Sequence, residues 1–367
     1  MLRRRARNED RPVLCFATQG HEHIEGHRIR RLLEGVSPES FPFDHAHRLS
    51  SALGLLRVAL RRRPSLIVME GTGLAGGLTL LAIDALLGIP YVFSSGDAVG
   101  PYLRLRSPLL GPVGGLYERL LYRRCAGFVG WTPYLVGRAL TFGAPRGVTA
   151  PGWSRSTAAP GARERVRRRL GIPLDALVVG LTGSLHWSER RRYVYGAELV
   201  SAVRRLERRD VVACIVGDGS GLDRLKELAG EDLGTRVVLA GRVPPEEVPD
   251  YLSCFDMASL SQSTDRVGSF RYTTKLSEYL DAGLPVISGQ NPVAYDLDEG
   301  CFWRVPGDAP WSPVYIDALQ ALLEALTATE LSQRRQAVRE RATDAFDLEA
   351  QQRRVADFIR DLMAGRS

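Results

Sequence analysis

Short apolar runs alternate with helix-spaced stretches along almost the whole chain, and glycine punctuates the change from one to the other. Residues 11–18 (Arg-Pro-Val-Leu-Cys-Phe-Ala-Thr) read as a strand ending at Gln19-Gly20, and a helix pattern runs from about Gly26 to Leu33. Ser65–Met69 is a strand ending at Glu70-Gly-Thr-Gly73, Leu74–Leu87 a helix stopped by Gly88, and Pro90–Ser94 the next strand. Leu116–Arg124 is helical, Gly127–Trp131 a strand, and Pro133 opens a helix where proline is tolerated. After a Ser/Thr/Ala/Pro-rich linker at Ser154–Gly161 the alternation restarts. Strands at Ala176–Thr182, Val211–Val216, Arg236–Ala240 and Phe255–Ser259 alternate with helices at Arg190–Arg208, Gly221–Ala229 and Pro244–Ser253. A helix from Lys275 then leads through Gly283 and Pro285 into a strand ending at Ser288, and the last fifty or so residues are helical. Repeated strand, glycine turn and helix predict parallel sheets covered on both faces. The chain therefore reads as α/β, with two Rossmann-like doubly wound domains at 1–153 and 154–345 and a closing helix in 346–367. Such sheets bind ligands at their strand carboxyl ends, here in a cleft that the two domains would face.

Apolar residues make up 44% of the 367, enough for two cores, which excludes wholesale disorder. Leu74–Phe93 is the most apolar region, but Asp84 and Pro90 interrupt it, so it reads as helix, turn and strand and not as a membrane span. The net charge of +7 favours anionic partners. Lys226 and Lys275 are the only lysines; the rest of the positive charge is arginine. No nucleic-acid recognition module is present and no strand leads into G-x-G-x-x-G, so neither a polynucleotide partner nor a nicotinamide cofactor is expected. Cys15, Cys125, Cys214, Cys254 and Cys301 are odd in number and form no C-x-x-C pair; they read as reduced core thiols. With a start, Met1-Leu-Arg-Arg-Arg, that lacks a signal-peptide apolar segment, they point to a cytoplasmic location.

The stretch Thr273–Ser288 concentrates the chemistry. Thr273 and Thr274 offer N-cap hydroxyls, and Leu276, Tyr279 and Leu280 share one face. That leaves Lys275 and Glu278 near the helix start. A lysine beside free helix N-terminal N–H groups can hold a phosphate, and a glutamate can accept hydrogen bonds from sugar hydroxyls; an ordinary amphipathic helix with a surface Lys and Glu fits the same residues. Gly183-Ser184 follows the first strand of the second half and can bring backbone N–H groups to a phosphate. His186 reads as loop filling, and Arg190-Arg-Arg192 equally as a solvated run. His21, His23 and His27 alternate with Glu22 and Glu25, but the spacing is not a zinc signature and no metal is expected.

Glu278-Tyr-Leu-Asp-Ala-Gly-Leu-Pro-Val-Ile287 resembles the second half of the signature of GT-B glycosyltransferases, in particular the large retaining family four. Ile215–Gly219 resembles the family's Gly-Asp-Gly turn, and Ala240–Glu247 its Gly-Arg-Val-Pro segment. The resemblance implies a retaining transferase that takes a sugar from a nucleotide-diphosphate donor, with no cofactor. It implies Lys275, Arg190 and Asp97 as catalytic groups, and Gly183, Ser184, Gly217, Arg242, Val243, Thr273, Thr274 and Glu278 as donor contacts. Gly20, His21 and His23 would meet a glycan, lipid-linked or small-molecule acceptor, and the closing helix would cross back to the first domain. Two positions depart from the pattern: the first acid of the double motif falls on Phe270, and Gly96 stands where relatives carry His. Asp265 and Arg271 are the neighbours that could stand in for that acid. A catalytically impaired protein acting as a nucleotide-sugar-binding or partner subunit is the alternative these departures favour.

Leu49, Leu53, Leu56 and Leu60 form a helical stripe beside Arg57 and Arg61-Arg-Arg63, and Pro101–Leu110 mixes arginines with leucines. The stripe reads first as a core face. Its other reading is peripheral contact with the inner face of a membrane.

Overall fold

The computed structural model describes residues 11–106, 111–153, 157–271, 273–298, 300–341 and 346–365. The Met1–Asp10 start, the end of Pro101–Leu110 and the first residues of the Ser154–Gly161 linker lie outside the described residues. The chain forms two compact units.

The first unit comprises the described parts of Met1–Gly152, Phe270–Tyr272 and Asp347–Ser367. Its strands are β1 (Val13–Ala17), β2 (Glu39–Ser40), β3 (Leu66–Glu70), β4 (Tyr91–Ser95), β5 (Gly127–Gly130) and β6 (Gly147–Thr149). They form one parallel sheet in the order β2-β1-β3-β4-β5-β6. All of β1, β3 and β4 is buried, which is why these strands read as unbroken apolar runs. The helices are α1 (Ile24–Leu32), α2 (Arg48–Arg62), α3 (Leu74–Leu87), α4 (Val99–Arg106), α5 (Gly111–Arg124) and α6 (Pro133–Thr141). Helix α6 starts as its sequence requires: Thr132 accepts from the Leu135 N–H at 3.1 Å, and Pro133 takes a first-turn position where its missing N–H costs nothing. Right-handed crossovers put α2 to α6 on one face of the sheet and α1 on the other.

The second unit comprises Trp153–Ser269 and Thr273–Phe346 as far as they are described. Its strands are β7 (Leu177–Thr182), β8 (Val211–Val216), β9 (Val237–Gly241), β10 (Met257–Leu260), β11 (Val286–Gly289) and β12 (Phe302–Val305), parallel in the order β12-β11-β10-β7-β8-β9. The helices are α7 (Ala162–Arg169), α8 (Ala197–Arg205), α9 (Leu222–Ala229), α10 (Val248–Ser253), α11 (Thr274–Asp281), α12 (Pro292–Asp296), α13 (Pro313–Ala325) and α14 (Ala328–Arg341). The last helix, α15 (Leu348–Ala364), packs in the first unit, where the Gln351 amide bonds both to the N–H and to the carbonyl of Gly152. Both units are Rossmann-like and doubly wound. Among the described residues no helix is long and apolar enough to cross a membrane. All five cysteines are buried and none forms a disulfide among the described residues.

Two expectations change. The helix read at Arg190–Arg208 begins only at Ala197. Ser188 and Tyr193 pair as a short antiparallel bridge, and the Tyr193 hydroxyl donates to buried Glu198 at 2.7 Å, so residues 188–196 are held as a turn. The Leu49–Leu60 stripe is not the core face of α2: Ser51, Leu55 and Ala59 are buried and Leu49, Leu53 and Leu60 are exposed.

One buried carboxylate ties the second unit together below its strands. Asp256 accepts from the Val178 N–H at 2.7 Å, from Arg163 at 2.7 Å, from Arg167 at 2.8 Å and from Arg335 at 3.0 Å. It thereby joins α7, β7, β10 and α14. Burial raises its pKa, but the Val178 N–H and the guanidiniums of Arg163 and Arg167 outweigh this and hold it below the ordinary carboxylate value. Asp256→Asn leaves buried Arg167 and half-buried Arg163 and Arg335 without their counter-charge and is expected to cost about 3 kcal/mol or more of unfolding free energy, measured by urea denaturation at neutral pH. The wild-type contribution is full above the ordinary carboxylate pKa and is lost as pH falls through the depressed one, so the deficit should shrink in acid. A loss below about 1 kcal/mol at neutral pH would mean that the cluster is not what holds these elements together.

Candidate functional site

Two glycine backbones cross at the carboxyl ends of β7 and β8. Gly183 and Gly217 have φ of +153° and +151°, which L side chains rarely adopt. A Cβ on Gly217 would lie 1.8 Å from the Gly183 carbonyl oxygen, and one on Gly183 would lie 2.3 Å from Lys275 Nζ. At Gly217 the clash is with backbone that cannot give way, whereas at Gly183 it is the φ that favours glycine; the second figure shows where the lysine ammonium sits, directly over the Gly183 backbone. The ammonium also lies 4.7 Å from the centroid of the Tyr195 ring.

Helix α11 delivers that lysine. Leu276, Ser277, Tyr279 and Leu280 are its buried face. The Tyr279 hydroxyl accepts from the Thr182 N–H at 2.9 Å and lies 3.1 Å from the Thr182 hydroxyl, pinning the helix to the end of β7. Its far end closes as the Gly283-Leu-Pro sequence predicts: Gly283 lies at φ +72°, the Gly283 N–H bonds to Leu280 O and the Leu284 N–H to Tyr279 O. Thr273 takes the N-cap position but its side chain makes no cap hydrogen bond, so the expected hydroxyl cap is not formed. The Leu276 N–H bonds instead to the Thr273 carbonyl at 3.0 Å, and no side chain caps the start of the helix.

These residues line a cavity of about 850 Å³ in the second unit. Gly183, Ser184, Gly217, Thr274, Lys275 and Glu278 form one part of its wall, and Arg242 and Val243 another. Burial pushes the Glu278 carboxyl above its ordinary value, against the opposing pull of Lys275. Trp153, Asp218, Gly219, Pro245 and Val248 also line the cavity, as does His186, which the sequence suggested was loop filling. Gly-Asp-Gly at 217–219 did signal two of these. Nothing around Trp153 signals that its side chain reaches the cavity.

Two family models match: "Glycosyl transferase 4-like domain" over residues 4–153 and "Glycosyl transferases group 1" over residues 176–325. The chain belongs to the group 1 glycosyltransferases. No curated protein matches it in sequence. Among solved structures it is similar in fold to HepE of Anabaena in complex with UDP and glucose (TM-score 0.68, 16% identity, 96% of this chain and 100% of that one). It is similar also to sucrose-phosphate synthase of Thermosynechococcus elongatus (0.71, 14%, 97% and 100%). A third is WaaG, a glycosyltransferase involved in lipopolysaccharide biosynthesis (0.66, 14%, 95% and 99%).

The remaining expected site residues of the transferase lie elsewhere. Arg190 is exposed in the 188–196 turn and does not line the cavity, because the helix that was to present it starts seven residues later. Asp97 belongs to the first unit, and its carboxylate is engaged by Arg271 at 2.9 and 3.3 Å. Asp265 does not line the second-unit cavity, and Arg271 belongs to the first unit, where it holds Asp97. Asp265 instead accepts from the Val267 and Gly268 N–H groups, both at 2.9 Å, and shapes its own loop. Phe270 packs with the first unit, its ring under the Arg138 guanidinium at 5.4 Å and its carbonyl accepting from the Thr132 hydroxyl.

In the first unit, Gly20 turns at φ +124° after β1. His21 is bonded to Arg30 at 3.0 Å and Ser40 at 3.1 Å, and His23 caps α1 by accepting from the Glu25 N–H at 3.3 Å. Among the described residues no group of three or more His, Cys, Asp or Glu is arranged to hold a metal. The charged centre of this unit is one the sequence reading missed. Buried Glu70 accepts from Arg28 at 2.6 Å, Ser94 at 2.8 Å and the Trp131 indole at 3.0 Å, and Arg28 reaches on to the Ala150 carbonyl. One turn before Arg28, Glu25 points a buried oxygen, Oε2, at no hydrogen-bond partner. Burial, with Glu70 and Asp97 nearby, pushes its pKa up to about 8 despite Arg28.

A raised carboxyl pKa penalises the folded state as pH rises past the ordinary value, and the penalty stops growing above about 8. Glu25→Gln, which imitates the protonated form, is expected to raise Tm over wild type at about pH 9 and to leave it near wild type at about pH 5, read by differential scanning fluorimetry. Equal differences at both pH values would place the Glu25 carboxyl in an unperturbed environment.

Proposed function

We propose that this glycosyltransferase takes a sugar from a nucleotide-diphosphate donor held in the second-unit cavity, and passes it with retention of configuration to a glycan, lipid-linked or small-molecule acceptor met by the first unit. The observation that carries this reading is the seat of Lys275. An ammonium held over glycine backbone, beside the uncapped start of α11, is a site for a diphosphate. Arg242, Val243, Pro245 and Val248, with the Trp153 indole, offer the apolar and backbone surface suited to a nucleobase. Glu278 offers a carboxyl to sugar hydroxyls. The solved relatives in complex with UDP make uridine diphosphate the first nucleotide to test.

The reaction needs no protein nucleophile. The bond from the sugar's anomeric carbon to the diphosphate oxygen breaks, the acceptor oxygen bonds to that carbon on the same face, and the acceptor proton passes to the leaving diphosphate. The protein's task is to stabilise the negative charge that grows on the diphosphate, and Lys275 with the α11 amides supplies it electrostatically. Losing one such group typically costs roughly a hundredfold or more in rate. A cytoplasmic location, peripheral to the inner face of a membrane, goes with a nucleotide-sugar donor and a lipid-linked acceptor.

A second reading, a nucleotide-sugar-binding subunit without turnover, draws on Phe270, which puts an aromatic ring where the family pattern has an acid. The test is a thermal-shift panel of UDP, GDP, ADP, TDP and their sugars on wild type and Lys275→Ala. One nucleotide class should raise the wild-type Tm, and the variant should lose most of the rise. No shift from any nucleotide on folded protein would remove the donor-site reading. A shift without release of nucleoside diphosphate in the presence of any acceptor class would select the second reading.

A further inference from the structure

Nine of the sixteen exposed large apolar side chains among the described residues gather on three neighbouring helices. Among the described residues, the exposed large apolar side chains of α2, α3 and α5 all belong to the first unit: Leu49, Leu53 and Leu60, then Leu74, Leu78 and Leu86, then Val113, Leu116 and Leu120. Several are nearly as exposed as a side chain can be, with Leu49 at 79%, Leu86 at 74% and Leu116 at 70%. Spacings of three, four, seven and eight place each set on the outward side of its helix. Helix α2 packs on α3 and α3 on α5, so the three rows lie side by side on one face of the sheet, opposite the face that carries α1 and α15. Each helix already has another face for the core, for example Ser51, Leu55 and Ala59 in α2 and Gly76, Leu80 and Ile83 in α3.

The charge on this face has one sign. Arg57, Arg61, Arg119 and Arg123 are exposed and make no ion pair among the described residues. The acids of these three helices, Asp84 and Glu118, are neutralised by Arg124 and Arg138. We infer that the α2–α3–α5 face of the first unit docks on an anionic lipid surface, with its leucine rows in the acyl boundary and its arginines at the headgroups. This names the surface behind the proposed peripheral location and rests on that part of the reading. Apolar area and basic charge on one flat helical layer are the two terms that drive interfacial binding. A second copy of the chain suits the face less well: two-fold pairing sets a patch against itself, and here unpaired arginines would meet unpaired arginines.

The experiment is co-sedimentation of the full chain with phosphatidylcholine vesicles, with or without phosphatidylglycerol at about one lipid in three. The wild type should bind the anionic vesicles at least about tenfold more tightly than the neutral ones, and less so as salt is raised. A Leu53→Gln, Leu78→Gln, Leu116→Gln triple variant should lose about tenfold or more on anionic vesicles. So should an Arg57→Glu, Arg61→Glu variant, which does not touch the apolar rows. Both should keep the wild-type Tm and its nucleotide-dependent shift, which separates failure of this surface from failure of the donor-site reading. No preference for anionic vesicles, or undiminished binding by both variants, would overturn the inference. A concentration-dependent dimer in sedimentation velocity that the triple variant dissolves would overturn it too, giving the face to a second copy.

Discussion

The candidate site of the second unit depends on one steric constraint: at the carboxyl ends of β7 and β8 the Gly217 backbone passes too close to the Gly183 carbonyl for any side chain. The space a Cβ would take at Gly217 is filled by the Gly183 carbonyl, and the space at Gly183 by the Lys275 ammonium. The crossing therefore does two things. It keeps the floor of the cavity as bare backbone, which can approach a ligand closely, and it gives a flexible lysine a fixed seat. The lysine stays there because its helix is fixed independently, through the Tyr279 hydroxyl at Thr182 and the glycine-closed C-terminus. A single lysine on a loop would lose much of its effect to side-chain entropy; this one is held by a helix that is itself bonded to the strand end.

Much of this was legible from the sequence, because the features involved are local. Helix α11 was readable from the spacing of Leu276, Tyr279 and Leu280 and from Gly283-Leu-Pro, and the lysine and glutamate fell out as the residues left over. What was not legible depended on distant partners. The helix expected from Arg190 was displaced because Tyr193 is held by Glu198, which in turn accepts from Ser261, sixty-three residues further on. The α2 stripe was misassigned because two apolar rows run along that helix, and the row with the smaller residues, Ser51 and Ala59 beside Leu55, is the one that fits against its neighbours. Trp153 lines the cavity from just before the linker, with no periodicity to announce it.

The arginines differ sharply in their partners: besides those in surface pairs, some serve buried carboxylates and some face outward. Arg28, Arg138, Arg163 and Arg167 are spent on carboxylates that are themselves buried: Glu70, Glu118 and Asp256. Removing one partner of such a pair strands the other in a low-dielectric interior, so these residues are bound to the fold. Arg57 and Arg61 sit on α2 beside exposed leucines, and among the described residues no carboxylate pairs with them. Charge that stabilises nothing inside the molecule is free to act on what approaches it, and the same protein thus uses one residue type for internal anchoring and for an outward field.

Phe270 bears on how the donor's sugar would be read. In the family pattern two acids flank the sugar; here the first position holds an aromatic ring that packs with Arg138 and the first-unit core, and the next residue, Arg271, is committed to Asp97. The proposed sugar site is therefore left with Glu278 as its one carboxyl among the cavity-lining residues besides Asp218, which belongs to the glycine turn. Burial raises the Glu278 pKa, so this carboxyl is more readily protonated than an exposed one. A protonated carboxyl donates one hydrogen bond and accepts others, whereas a carboxylate only accepts. With Phe270 in the first position, the proposed sugar site has one acidic side chain fewer to accept from sugar hydroxyls. In that arrangement the phosphates, held by Lys275, carry more of the donor's binding and the sugar carries less.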